Sequence, residues 1–65
     1  MLSWDDFRIF LAVARDETLS AAGRRLKIDP ATVGRRITRA EDALGLPLFV
    51  KSHSGYSLTD AGQKL

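Results

Sequence analysis

Two helix signals stand three residues apart in this chain, and that spacing limits the fold more than any other feature. Asp29-Pro30 marks a helix start. Aspartate at an N-cap accepts from free backbone amides, and proline at the first helical position gives up an N–H that has no partner there anyway. Just upstream, Ala21 to Leu26 reads as a short helix capped by Ser20, with Ala22 and Leu26 facing inward together at i, i+4. Only Lys27, Ile28 and Asp29 join the two segments. Helices joined so briefly must cross at close range. Gly23 supplies a small residue for the crossing, at a position where an interior glycine otherwise costs about 1 kcal/mol relative to alanine.

The later helix runs to about Leu44, closed by Gly45 at C′ with Pro47 shortly after. Val33, Ile37, Ala40 and Leu44 form its buried stripe. At 100° per residue Arg35 points almost directly away from that stripe. Ala31, Thr38 and Arg39 lie beside it, with Thr32 and Arg36 on one flank and Gly34 on the other, so the outward face is small and basic. An earlier helix starts after Ser3, with Asp6 at the capping-box position, carries the stripe Phe7, Phe10, Leu11, Ala14, and fades near Asp16–Thr18. Leu48 to Lys51 reads as a strand, Ser52 to Gly55 as a turn, and Tyr56 to Leu58 as the returning strand of a hairpin. Thr59 caps one more helix of only six residues, and a helix that barely starts predicts that the natural protein continues.

The sequence excludes several classes. Sixty-five residues make one small domain, burying only about 60% of the surface its unfolded chain exposes. Without cysteine and with one histidine, neither disulfides nor a thiolate metal site can reinforce it. No apolar run approaches the length of a bilayer span. The N-terminus is acidic where a signal peptide would be basic, so a cytoplasmic location and no membrane partner are expected. A phosphate loop, a pair of catalytic acids and a nucleophile elbow are all missing, and His53 has no partner that would make it a catalytic base. The chain is therefore read as no enzyme.

Charge is unevenly placed. Residues 1–19 carry net −2, residues 20–40 net +5 and residues 41–65 net −1. The basic middle third holds Arg24, Arg25, Lys27, Arg35, Arg36 and Arg39 against Asp29 alone, as a polyanion-binding surface requires. On charge alone, a solvated face on two helices explains the pattern equally well. Three helices with so short a turn, then a hairpin, give the expected fold: mainly α, a winged helix-turn-helix with a three-helix core, a small β-hairpin wing and the start of a further helix. The front half of the third helix would then enter a major groove.

At this point the residues resemble a known family. Thr18-Leu19-Ser20-Ala21-Ala22-Gly23-Arg24-Arg25-Leu26, Val33-Gly34-Arg35-Arg36-Ile37, Glu41, Leu44-Gly45, Leu48-Phe49 and Leu58-Thr59-Asp60-Ala61-Gly62 look like the N-terminal domain of LysR-type transcriptional regulators. The resemblance spans the chain. It implies residues 1–58 as the DNA-binding domain and residues 59–65 as the first turns of a linker helix that pairs two subunits. It further implies inverted-repeat operators, a homodimer or homotetramer, contact with RNA polymerase, no cofactor in this domain, and a small-molecule inducer bound by a C-terminal domain. The recognition helix departs from the family's usual Ser-Gln-Pro-Ala opening. Pro30 stands where a base-reading glutamine is common, Gly34 replaces a serine, Lys51 stands for the strand arginine, and His53 and Ser54 occupy the wing position of another arginine.

The candidate DNA-binding residues are accordingly Ser20, Pro30, Ala31, Thr32, Gly34, Arg35, Arg36, Thr38, Arg39, Lys51, His53 and Ser54. Arg35 is assigned base readout, because a guanidinium can bond guanine O6 and N7 together. Arg36 and Arg39 are assigned to phosphates. Thr32 and Ala31 are placed to touch a thymine methyl or a phosphate, and Ser20 is assigned as helix cap and phosphate donor. Lys51 and His53 are directed to phosphates or the minor groove. Arg24 and Arg25 read as ordinary surface charges, Arg25 with an acid such as Asp5 or Asp6 as partner. Trp4 and Tyr56 could stack on the bases of a single strand, but read better as packing at the rim of the core. The competing function is a winged helix whose basic face binds an acidic protein.

Overall fold

The computed structural model describes residues 3–65 and contains α1 (Trp4–Asp16), α2 (Leu19–Leu26), α3 (Pro30–Leu44), β1 (Phe49–Ser52), β2 (Gly55–Leu58) and α4 (Asp60–Gln63). Local chemistry sets most of these bounds. The Ser3 hydroxyl accepts from the Asp6 amide while the Ser3 N–H donates back to the Asp6 carboxylate, closing a capping box on α1. Asp29 accepts from the Ala31 amide at 2.8 Å, Pro30 occupies the first turn of α3, and Gly45 ends that helix in the left-handed conformation (φ 72°). Thr59 caps α4 by accepting from the Gly62 amide.

The cap of α2 differs from the sequence reading. Thr18 holds that position, extended in backbone and accepting from the Ala21 amide at 3.1 Å, whereas Ser20 lies exposed inside the first turn. The helix begins two residues early because α1 stops abruptly. Glu17 takes a left-handed conformation (φ 67°), and its carbonyl accepts from the Tyr56 N–H at 2.6 Å. The hairpin therefore grips the turn between α1 and α2. Gly55 fits there because a Cβ at that position would run into the Glu17 carbonyl.

Three helices and the base of the hairpin enclose one core of Ile9, Phe10, Val13, Ala22, Val33, Ile37, Ala40, Leu48 and Phe49. The buried arc of α1 is centred on Ile9, Phe10 and Val13 rather than on the expected stripe. Phe7 and Ala14 are half-buried, and Leu11, roughly 200° round the helix from Ile9, is 44% exposed. Leu44 is likewise exposed, because it sits in the last turn of α3 beyond the packed part of the helix. Of the two aromatics expected at the rim, Tyr56 packs edge-on against Phe49 (centroids 5.7 Å apart), while Trp4 is 73% exposed.

The strands pair antiparallel with Phe49 opposite Leu58 and Ser52 opposite Gly55, leaving His53-Ser54 as a two-residue turn. The start of β1 is held by Glu41 of α3, whose Oε2 accepts from the Leu48 and Phe49 amides at 2.8 and 3.2 Å. No helix among the described residues is long and apolar enough to cross a membrane.

Candidate nucleic-acid interface

The close α2–α3 crossing positions the outward face of α3. A Cβ on Gly23 would lie 2.7 Å from the Ile28 carbonyl oxygen and 3.4 Å from Pro30. Glycine is thus needed against the turn and the first residue of α3, at the corner itself. Lys27 caps α2 in the left-handed conformation (φ 61°), and the Ile28 N–H returns to the Gly23 carbonyl at 3.0 Å. With that corner fixed, Val33, Ile37 and Ala40 turn into the core and the opposite side of α3 faces out.

That side is one wall of an open groove. Ala31, Thr32, Gly34, Arg35, Arg36, Thr38 and Arg39 line it from α3 together with the acidic Asp42, Leu19 lines it from α2 and Tyr56 from the hairpin. Seven of the candidate residues are therefore brought together. Arg35 is exposed and donates to the Thr32 hydroxyl one turn away at 3.1 Å, and no carboxylate among the described residues pairs with it. Gly34 lies at the seam with α2, 3.1 Å from the Leu19 Cδ1 if a Cβ is added. Lys51 faces Tyr56 across the hairpin, its Nζ 5.8 Å from the ring centroid, so a wing cation stands next to the groove wall. His53 and Ser54 form the exposed wing tip. Pro30 sits exposed at the helix start, and Ser20 lines no part of the groove.

The basic third of the sequence does not emerge as one free surface. Arg36 donates from Nε and Nη2 to Asp6 Oδ1 (3.0 and 2.9 Å) and from Nη2 to Asp5 Oδ2 (2.9 Å). Arg39 reaches the same Asp6 oxygen at 3.3 Å but keeps 64% of its side chain exposed. Arg25 makes a two-pronged pair with Asp16 at 2.8 and 2.9 Å, in place of the expected partners Asp5 or Asp6. The hydrogen bonds from Arg36 hold the Asp6 carboxyl below its ordinary value against the opposing effect of burial, and the Asp6 contact raises Arg36. The Arg8 bond is the main cause that lowers Asp5. The acidic N-terminal third thus folds back on the basic middle third. Arg36, assigned to phosphate from its sequence position, is engaged inside the domain.

Known proteins share this fold. The family model for bacterial regulatory helix-turn-helix proteins of the lysR family matches residues 4–63. The chain belongs to the LysR family. Among LysR relatives, the transcriptional regulator IlvY of Escherichia coli strain K12 is 37% identical over 60 residues, an alignment covering 92% of this chain and 20% of IlvY. The regulator ClcR of Pseudomonas putida is 39% identical over 61 residues, covering 94% of this chain and 21% of ClcR. The crystal structure of a CbnR DBD–DNA complex superposes with a TM-score of 0.93 at 32% identity, covering 97% of this chain and 72% of that one. The winged helix-turn-helix expected from the sequence is the fold observed. The chain spans about a fifth of the length of the IlvY and ClcR regulators it matches.

Further contributors to the site were not foreseen. Leu19, Asp42 and Tyr56 complete the groove walls, and the N-terminal acids Asp5 and Asp6 decide which arginines of α3 are available. Tyr56 carried a usable signal in its place within the returning strand. The acids carried none, since no local spacing links residues thirty positions apart.

Proposed function

We propose that this chain binds double-stranded DNA in a sequence-dependent manner as the DNA-binding domain of a bacterial LysR-type transcriptional regulator. The observation that carries this reading is Arg35, a guanidinium on the outward face of α3. It pairs with no carboxylate among the described residues and bonds only the Thr32 hydroxyl there, in an open groove where the small side chains Ala31, Thr32 and Thr38 let a base edge approach. In this reading α3 enters the major groove. Arg35 reads a base, worth about 1–3 kcal/mol of discrimination, with Thr32, Ala31 and Thr38 beside it. Arg39 and Lys51 take phosphates, and His53 and Ser54 meet the adjacent backbone or minor groove. Residues 59–65 begin a linker helix in a longer, cytoplasmic protein with no enzymatic activity, acting as a homodimer or homotetramer on an inverted repeat and contacting RNA polymerase. Its inducer binds a C-terminal domain, and this domain needs no cofactor. The relatives named above, all regulators, support the reading as a regulator's DNA-binding domain.

The test is binding of the chain and of Arg35→Ala to a panel of duplex half-sites across a salt series. Arg39 and Lys51 neutralising one phosphate each predict a slope of log K against log salt of about −1.8, and an affinity loss of about twelve-fold between roughly 50 and 200 mM. Arg35→Ala should weaken binding and flatten the preference among half-sites. A folded chain that binds no duplex at low salt would mean that the basic face serves an acidic protein, and would overturn the proposal.

A further inference from the structure

Among the three arginines of α3, two share an anchor. Asp6 Oδ1 accepts from Arg36 twice and from Arg39 once, and Asp5 Oδ2 accepts from Arg36 as well. Asp6 is well placed to hold them. Its side chain is only 11% exposed and its other oxygen is engaged by the Ser3 amide in the capping box, so it cannot swing away to solvent. Arg36 is 27% exposed and bound through two of its nitrogens, whereas Arg39 is 64% exposed and bound once, at the longer distance. A phosphate arriving at α3 therefore finds Arg35 without a carboxylate partner among the described residues, Arg39 loosely held and Arg36 already neutralised.

We propose that Asp6, assisted by Asp5, is a specificity-determining residue that withholds Arg36 from the DNA backbone and so suppresses sequence-independent binding. The inference rests on the proposed function. Its physical basis is that non-specific affinity grows with each cation that releases a counterion from phosphate, while base readout depends on the guanidinium aimed into the groove. Two carboxylates beneath α3 remove cationic charge from the first without touching Arg35. The Arg36 side chain still serves the fold, tying the start of α1 to the middle of α3.

The experiment measures binding of the 65-residue chain, Asp6→Asn, Asp5→Asn and Asp6→Asn/Arg36→Gln to a random-sequence duplex over a salt series, with folding checked by circular dichroism. One released cation steepens the salt slope by about 0.9 and raises affinity for random DNA about eight-fold at roughly 0.1 M salt. Asp6→Asn should show both changes, and adding Arg36→Gln should return both to the level of the unsubstituted chain. Asp5→Asn, which leaves the capping box intact, should move the same way by a smaller amount and serves if Asp6→Asn unfolds. Unchanged slope and affinity in a folded carboxylate variant, or a gain that survives Arg36→Gln, would overturn the inference and leave the proposed function standing. Absence of any duplex binding by the unsubstituted chain would overturn both.

Discussion

Replacing Gly23 by alanine and, separately, Gly34 by alanine should move stability in opposite directions, although both glycines lie inside helices. A Cβ on Gly23 meets the Ile28 carbonyl oxygen at 2.7 Å, with Pro30 behind it at 3.4 Å. The carbonyl belongs to a turn pinned by the Ile28 N–H bond to Gly23 and by the left-handed cap at Lys27, so it cannot step aside unless α3 is prised from α2. Overpacking of this kind costs about 1–3 kcal/mol, and the upper end applies where the neighbour is backbone. Helix propensity returns about 1 kcal/mol, leaving a net loss of about 2 kcal/mol. At about 2.1 cal/mol/K per residue, a chain of this length loses about 7 °C in Tm per kcal/mol, so Gly23→Ala should melt about 15 °C lower. Gly34 offers the contrast, because its added Cβ would meet the Leu19 Cδ1 at 3.1 Å, the end of a side chain that can rotate. There the propensity gain should survive and raise Tm by about 4–7 °C. Thermal melts followed by far-ultraviolet circular dichroism decide the matter. A Gly23→Ala protein melting at or above the unsubstituted chain, or a shift of the same sign at both positions, would refute the packing argument.

Three further outcomes are expected. Thr18→Ala should cost about 1 kcal/mol through loss of the α2 cap, while Ser20→Ala should stay within about 0.5 kcal/mol, as is usual at exposed positions; denaturant midpoints separate the two. Glu41→Ala strips the acceptor from the Leu48 and Phe49 amides and should cost about 2–3 kcal/mol, with Glu41→Gln recovering much of the loss in the same assay. Asp5, Asp6 and Asp16 are each held below the ordinary 3.8 by their arginine partners. Because the folded state lowers these values, their stabilisation is present above the ordinary carboxylate range and fades as pH falls through the lowered ones. Melting temperature should therefore hold from about pH 7 to about pH 5 and then drop, with a shallower drop in Asp6→Asn; a flat profile down to about pH 2.5 would count against the ion pairs.

Much of the fold was legible because helix ends are made by neighbours in sequence. A cap joins residues two or three positions apart, so Ser3 with Asp6, Asp29 with Pro30, Gly45, and Thr59 with Gly62 could be read directly. The outward direction of Arg35 followed from helical periodicity and from the deep burial of Val33 and Ile37 opposite it. Where two local signals competed, the reading failed. Ser20 and Thr18 are both capable caps, and the choice fell to Thr18 because the hairpin fixes Glu17 in a left-handed conformation from forty residues away.

Charge shows the same division. The sequence by itself determined how many cations lie on α3 and that their spacing puts Arg35 opposite the core. Which of them remain free was decided by the packing of α1 across α3, which sets Asp6 under Arg36 and Arg39. The same packing rotated α1 so that Ile9 and Val13 are buried while Leu11 is left in solvent. Periodicity fixes the angles between side chains on one helix, but the direction of the whole helix toward its neighbours is a property of the assembled core. Ion pairs across that core have no signature in sequence spacing, because attraction between charges depends on distance in space and not along the chain.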